Sequence, residues 1–426
     1  MKRIIVLALA ACMVLGAALG ASAAEFKASG FLYAGYDYMN FDNTGKADGD
    51  RNAFSQRFRS QINIVASENL YGVVYFEIDQ DWGQSSKSVE QADGSYVKIG
   101  NVGGGSGGAI GADGVNVETK RAYVNFLVPS TTINVRAGIQ GVALPGAVSG
   151  SPILNDDVAG IVASSAVSGV NVTGIFARPY DDIDSSETTL DLFGAVLAAD
   201  LGPATVSPYA LFALNGSSSD VLDDNDAYWI GAAVNVAPIA NITFDFDAVY
   251  GKESGKDAGF LVAGKAAYAA DFAVPAVLAW YASGNDTDGE GQMATTSGNS
   301  GNSFVPTTLV GYGAAATSTD ALFGNALGKW GVSLQVSELT YIEKLTHTAR
   351  VSYIRGTNDD DITNADIETW TEDDAAFELD FVSTYAVYEN LDFIVDLAYV
   401  ACDFDSTATK DTDSVFKAAA GVKYNF

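Results

Sequence analysis

Phe54-Ser55-Gln56-Arg57-Phe58-Arg59-Ser60-Gln61-Ile62-Asn63-Ile64-Val65-Ala66 is the stretch whose reading decides the fold. Phe54, Phe58, Ile62 and Ile64 share one parity, and Ser55, Arg57, Arg59, Gln61 and Asn63 share the other. Successive side chains of a strand point to opposite faces, so this segment has one greasy face and one wet face. The pattern recurs along the chain. Ala122, Val124, Phe126 and Val128 alternate with Thr119, Arg121, Tyr123 and Asn125, and Ile133, Val135, Ala137 and Ile139 with Thr132, Asn134, Arg136 and Gln140. Near the end, Phe377, Leu379 and Phe381 flank Glu378 and Asp380, and Leu391, Phe393, Val395 and Leu397 flank Asp392 and Asp396. Segments of about ten alternating residues have the length and pattern of membrane-crossing strands.

A soluble sandwich also alternates, so the connections must discriminate. Tight turns at Glu68-Asn69, Pro129-Ser130, Gly202-Pro203, Pro238-Ile239 and Glu389-Asn390 interleave with long polar loops. The loops include Asp42 to Asn52, Gly83 to Asn116, Asn215 to Asp226, Asn285 to Gly328 and Asn358 to Asp374. Short turns at one end and long loops at the other are the habit of a transmembrane antiparallel β-barrel, with periplasmic turns and extracellular loops. The spacing gives eighteen strands from near Phe26 to Phe426, with sixteen as the alternative count. Either number is even, brings both termini to the periplasmic side and predicts a water-filled lumen rather than a packed interior. The uncharged run Val158 to Ala177 is not a membrane helix, because Ser164, Ser165, Asn171 and Thr173 punctuate it and Ser168-Gly169 reads as a turn.

Composition agrees. Across 426 residues, 23 Lys and Arg face 53 Asp and Glu, a net charge of −30, which argues against a nucleic-acid partner. With 48% hydrophobic and 11% aromatic residues the chain is not a disordered acidic one. Lys2 and Arg3 precede an apolar run to Leu19, and Gly20-Ala21-Ser22-Ala23-Ala24 supplies a small-residue cleavage site. Residues 1–24 are expected to be a cleaved export signal, a better fit than a lipoprotein box at Leu9-Ala10-Ala11-Cys12, and residues 25–426 a single barrel domain. Cleavage removes Cys12 and leaves Cys402 without a disulfide partner. The lone His347 sits on the lipid parity near an expected periplasmic turn, a poor place for the base of an outer-membrane hydrolase.

The last strand sets Phe416, Ala418, Ala420, Val422, Tyr424 and Phe426 opposite Lys417, Lys423 and Asn425. A terminal Phe with Tyr and Val at alternating positions resembles the C-terminal sequence of barrels assembled into the outer membrane. With Gly30-Phe31-Leu32-Tyr33-Ala34-Gly35-Tyr36 and Arg136-Ala137-Gly138-Ile139-Gln140-Gly141-Val142-Ala143-Leu144-Pro145, the chain resembles the general trimeric porins. It is most similar to the outer membrane homotrimeric porins of sulfate-reducing bacteria. The resemblance implies a Gram-negative outer-membrane location, contact with lipid and lipopolysaccharide, a homotrimer and a fifth-strand loop folded into the lumen, here Gly141 to Gly160. Porins of that type usually have sixteen strands, so eighteen is a departure. Ala28, Gly30 and Ala34 on the apolar parity of the first strand would let barrel walls approach closely in such a trimer.

The candidate constriction follows from parity and turn. A turn centred on Glu68 sets Arg59 across from Glu77 and Arg57 across from Asp79. Arg121 and Arg136 then face the loop acids Asp156 and Asp157 across the channel. The remaining acids gather in loops, where they steer cations. Among them, Asn285-Asp286-Thr287-Asp288-Gly289-Glu290 offers alternating oxygen ligands for a loop-bound divalent cation through Asp286, Asp288 and Glu290, without a full calcium loop. No other cofactor is expected. The function that fits is passive diffusion of small hydrophilic solutes and ions. The alternatives are a substrate-specific channel, which a lumen track of aromatics would favour, a barrel hydrolase and a plugged structural barrel.

Overall fold

A computed structural model describes residues 24–40, 51–83, 87–90, 96–99, 117–182, 188–217, 226–287, 291–293, 304–307, 326–361, 370–405 and 414–426. The expected export signal lies outside them, apart from its last residue. The strands are β1 (Glu25–Met39), β2 (Arg51–Ser67), β3 (Leu70–Asp81), β4 (Lys87–Glu90), β5 (Tyr96–Ile99), β6 (Glu118–Leu127) and β7 (Asn134–Ala143). Then come β8 (Asn155–Val167), β9 (Val170–Asp182), β10 (Thr188–Asp200), β11 (Ala204–Ser217), β12 (Ala227–Ile239) and β13 (Ile242–Glu253). The chain continues with β14 (Gly259–Tyr268), β15 (Val274–Ala282), β16 (Lys329–Ile342), β17 (Leu345–Gly356), β18 (Ala375–Tyr388), β19 (Leu391–Asp403) and β20 (Val415–Asn425). Strands β4 and β5 form a separate hairpin within the connection from β3 to β6.

The other eighteen make one closed antiparallel sheet in which each strand pairs with the next and β20 returns to β1. At the seam Phe31 lies opposite Asn425, and Gly30 and Phe426 exchange backbone hydrogen bonds of 2.9 and 3.0 Å. Closure gives each barrel strand a partner on both sides through its central span. The eighteen-strand count and the interleaving of turns and loops match the sequence expectation. Ser168 (φ 50) and Gly169 (φ 86) form the tight turn between β8 and β9, since both central residues of such a turn need positive φ. One turn moves: β12 runs through Ile239, and the reversal falls at Asn241 (φ 67) rather than at Pro238-Ile239, with a register slip between Val236 and Ile239.

The outer face is apolar. Ile230, Phe246, Val262, Leu334 and Leu379 are all at least 43% exposed and share the outward parity of their strands, an arrangement that only a hydrocarbon surrounding satisfies. Aromatic rings gather in two girdles. Toward the long-loop end lie Tyr36–Phe54 (4.8 Å between centroids), Phe54–Trp82 (5.5 Å), Phe260–Tyr281 (5.6 Å) and Trp330–Tyr353 (5.6 Å). Toward the tight-turn end Tyr268, Tyr341, Tyr388 and Tyr424 are exposed.

On the inner face, large rings pack closely against glycines. Tyr33 covers Gly421, Tyr209 covers Gly231, Trp229 covers Gly251 and Trp280 covers Gly331, leaving no room for a methyl group at any of these glycines. The lumen is not polar throughout, contrary to the sequence expectation. The inward residues of β8 to β15 include Val158, Val162, Leu192, Leu211, Trp229 and Leu261, all buried in one apolar cluster. They tolerate that parity because inward-folded segments cover them.

Candidate functional site

The charged wall starts in the β2–β3 hairpin. Its register sets Arg57 opposite Asp79 and Arg59 opposite Glu77, as the turn position required. Arg57 donates to Asp79 at 3.1 and 2.6 Å, and Arg59 donates to both Glu77 oxygens at 2.7 and 3.0 Å. Arg57 also lies 3.2 Å from Glu77. The next barrel strand, β6, enters with a bulge opposite Tyr75 and Phe76, so Thr119 pairs with Phe76 and Arg121 with Tyr75. The extra residue is Lys120, whose ammonium spans Glu77 (3.2 Å) and Asp157 (3.1 Å). Arg121 completes the chain by donating to Asp157 at 2.6 Å.

Four cations and three carboxylates thus run along the wall from β2 to β8, and Glu77 is the hub, with only 6% of its side chain exposed. Rings lie beside the cations. Arg59 and Lys423 stand over Phe31 at 5.8 and 4.8 Å, Arg121 over Tyr75 at 5.5 Å and Arg136 over Tyr123 at 6.0 Å. A ring face attracts a cation through its quadrupole and holds the long side chain against the wall.

The inward loop lies between β7 and β8. The amide of Leu144 donates to the carbonyl of Leu154 at 2.8 Å and closes its base, and Ser151 Oγ accepts from Ile153 and Leu154 at 3.3 Å each. Leu144, Val148, Ile153 and Leu154 are 5% exposed or less and join the apolar cluster of the inner wall. At the tip, the amides of Ala147 and Val148 donate to the two oxygens of Asp247, on β13, at 2.8 and 2.7 Å. The tip also pairs with residues 304–307: Val305 donates to the carbonyl of Ser149 at 3.1 Å, and Ser149 Oγ donates back to Val305. Arg350 on β17 holds the same segment by donating to the carbonyl of Pro306 at 2.9 Å. A bridge inside the barrel therefore runs from β7 and β8 to β13 and β17.

Several expectations change. The loop is shorter than Gly141 to Gly160: Gly141 to Ala143 and Asn155 to Gly160 are strand, leaving 144–154 free of it. Asp156 and Asp157 accordingly sit on β8 opposite Val142 and Gly141, not on a free loop. Arg121 does not face its acid across the channel, since its pair with Asp157 runs along the wall over Gly141, where a side chain would meet the guanidinium at 2.7 Å. Arg136 and Asp156 have no ion pair among the described residues; the amide of Asp157 donates to Asp156 at 2.7 Å. Of the candidate cation ligands, Asp288 and Glu290 lie outside the described residues and Asp286 within them. The carboxylates of Asp359, Asp360 and Asp361 gather within 4.8 Å, as acidic surface loops commonly do. His347 points to the outer face, stacked on Phe381 at 5.4 Å with its Nδ1 2.7 Å from Ser383 Oγ. Lys120 was missed because a bulge breaks the parity from which the wall was read. Asp247, Val305 and Arg350 were missed because their partners are distant in sequence.

No protein-family model and no curated protein sequence matches the chain. Solved structures do. It is similar to Pseudomonas aeruginosa OccK9 (OpdG), with 11% identity, 94% of this chain and 99% of that one covered, and a TM-score of 0.59. Acinetobacter baumannii OccAB1 matches with 14% identity, 96% and 99% coverage and a TM-score of 0.57. The outer membrane protein opdK from Pseudomonas aeruginosa matches with 10% identity, 94% and 98% coverage and a TM-score of 0.56. At such identities the likeness establishes a shared fold, the closed β-barrel, over nearly the whole chain.

Proposed function

We propose that the chain is an outer-membrane channel through which small hydrophilic solutes diffuse along the charged side of a divided lumen. The observation that carries this reading is a contrast inside the barrel. The bridge and the apolar wall of β8 to β15 are buried together, whereas Arg59, Lys120 and Arg121 keep 25 to 36% of their side chains exposed. Water and solutes pass where polar groups stay wet, and a closed barrel with a greasy exterior belongs in a membrane. The shared fold with the outer membrane protein opdK supports the same location. Conductance of the purified protein in a planar bilayer tests the reading: discrete, ohmic channels are expected, and a silent protein refutes it.

A second reading, a substrate-selective channel, is favoured by the inward rings Phe31, Tyr75 and Tyr123 beside their cations. A ring next to a guanidinium grips a solute with an anionic group on an apolar body. Liposome swelling separates the two, since a general pore sorts sugars by size alone. Passive passage needs no catalysis. Assembly as a homotrimer and loss of residues 1–24 on export rest on the sequence resemblance and the signal pattern. Cross-linking in mild detergent and N-terminal sequencing test them; monomers alone, or an uncleaved Met1, would exclude them.

A further inference from the structure

We propose that Asp247 is the positioning residue of the constriction: its carboxylate latches the tip of the 144–154 loop to β13 and so fixes the width of the open half of the lumen. This deepens the channel reading and rests on it. Asp247 is 5% exposed on the inner face of β13, and the strands β9 to β12 separate it from the loop's own roots on β7 and β8.

The latch satisfies both sides. The two consecutive amides of Ala147 and Val148 converge on its two oxygens at 2.8 and 2.7 Å, 100 and 99 residues away in sequence. A buried carboxylate needs such donors, and a loop tip removed from water needs acceptors. The rest of the bridge depends on the same point. Ser149, one residue beyond the latched amides, carries the paired contacts to Val305, and Arg350 holds the following residue, Pro306. Loop tip, 304–307 segment and β17 therefore form one strap with two wall anchors, Asp247 and Arg350.

Barrel closure does not depend on the Asp247 side chain, because β13 is paired along its length with β12 and β14 through the backbone. Its removal frees the loop and leaves the wall, which makes the role a positioning one. An Asn at this site keeps one acceptor for two donors and holds the tip by half.

The test compares wild type, Asp247→Ala, Asp247→Asn, Arg350→Ala and the Asp247→Ala/Arg350→Ala pair, each first shown to migrate as a folded, heat-modifiable barrel. Single channels in 1 M salt are recorded, and hydrogen exchange of the peptide spanning 144–154 is followed by mass spectrometry. Asp247→Ala is expected to flicker between the wild-type level and a wider one, with the released-loop population raised at least about tenfold, as loss of one charge-assisted hydrogen bond would produce. Faster exchange of the loop peptide accompanies it. Asp247→Asn falls between, and the double variant goes little beyond the stronger single one because both anchors act on one strap. A folded Asp247→Ala protein with wild-type conductance, noise and loop exchange overturns the latch while leaving the channel intact. A silent wild type overturns the channel reading itself, and with it the pore role of the latch.

Discussion

Glu77→Gln perturbs the charged wall at its hub. Arg57, Arg59, Lys120 and Arg121 give four positive charges against Glu77, Asp79 and Asp157, so the local balance is 4 − 3 = +1 and becomes 4 − 2 = +2 in the variant. A unit charge acts on an ion about 4 Å away with about 1 kcal/mol in water, roughly a five-fold change in its local concentration. Anions gain that factor and cations lose it, so the permeability ratio moves toward anions by up to about 25-fold at low salt. The shift fades as the Debye length falls from about 10 Å at 0.1 M to about 3 Å at 1 M salt. The same substitution leaves Arg59 and Lys120 one amide oxygen in place of the shared carboxylate, at a cost to stability of about 3 kcal/mol, because Glu77 is nearly buried. Reversal potential across a tenfold KCl gradient reads the selectivity, and urea unfolding from lipid reads the stability. A folded Glu77→Gln barrel whose reversal potential equals that of wild type would refute the placement of this wall in the ion path.

Gly141→Ala sets a methyl 2.7 Å from the Arg121 guanidinium, a flexible group that swings aside; its pair with Asp157 should break, with conductance altered and stability lowered by less than about 1 kcal/mol in the urea midpoint. Trp229→Ala removes a ring with no exposed surface from the covered half of the lumen, and should cost about 3 to 5 kcal/mol by the same measurement. Phe246→Arg places a charge on the outer face of β13, where Phe246 is 49% exposed; insertion into liposomes should weaken by roughly 2 to 4 kcal/mol. Wild-type insertion by that variant would mean that this face does not meet lipid.

The barrel was legible because each link was local. Strand parity, hairpin turns and the pairing of Arg57 with Asp79 and Arg59 with Glu77 all follow from neighbours within one hairpin. Lys120 was hidden because one inserted residue breaks the alternation, so that Lys120 and its neighbour Arg121 both reach Asp157 on the same wall. The inward loop was placed by resemblance, and its expected bounds ran into the flanking strands, so Asp156 and Asp157 were taken for loop residues. The apolar inner wall misled for a different reason. Alternation distinguishes lipid from lumen only when the lumen is wet, and the bridge that dries half of it is built from contacts such as Ala147 to Asp247 that no local pattern encodes.

Among the barrel's pairings, all but one join strands that follow each other around the wall in chain order; the exception is β20 with β1. Gly30 meets Phe426 there, 396 residues on, the longest-range pairing among the barrel strands. The seam is thus the last contact to form and the first at which a nascent barrel is open to another chain. It also leaves both ends of the sheet side by side. Joining them with a short linker and cutting instead at Glu68-Asn69 would make the β20–β1 pairing local and move the long-range closure to β2 and β3.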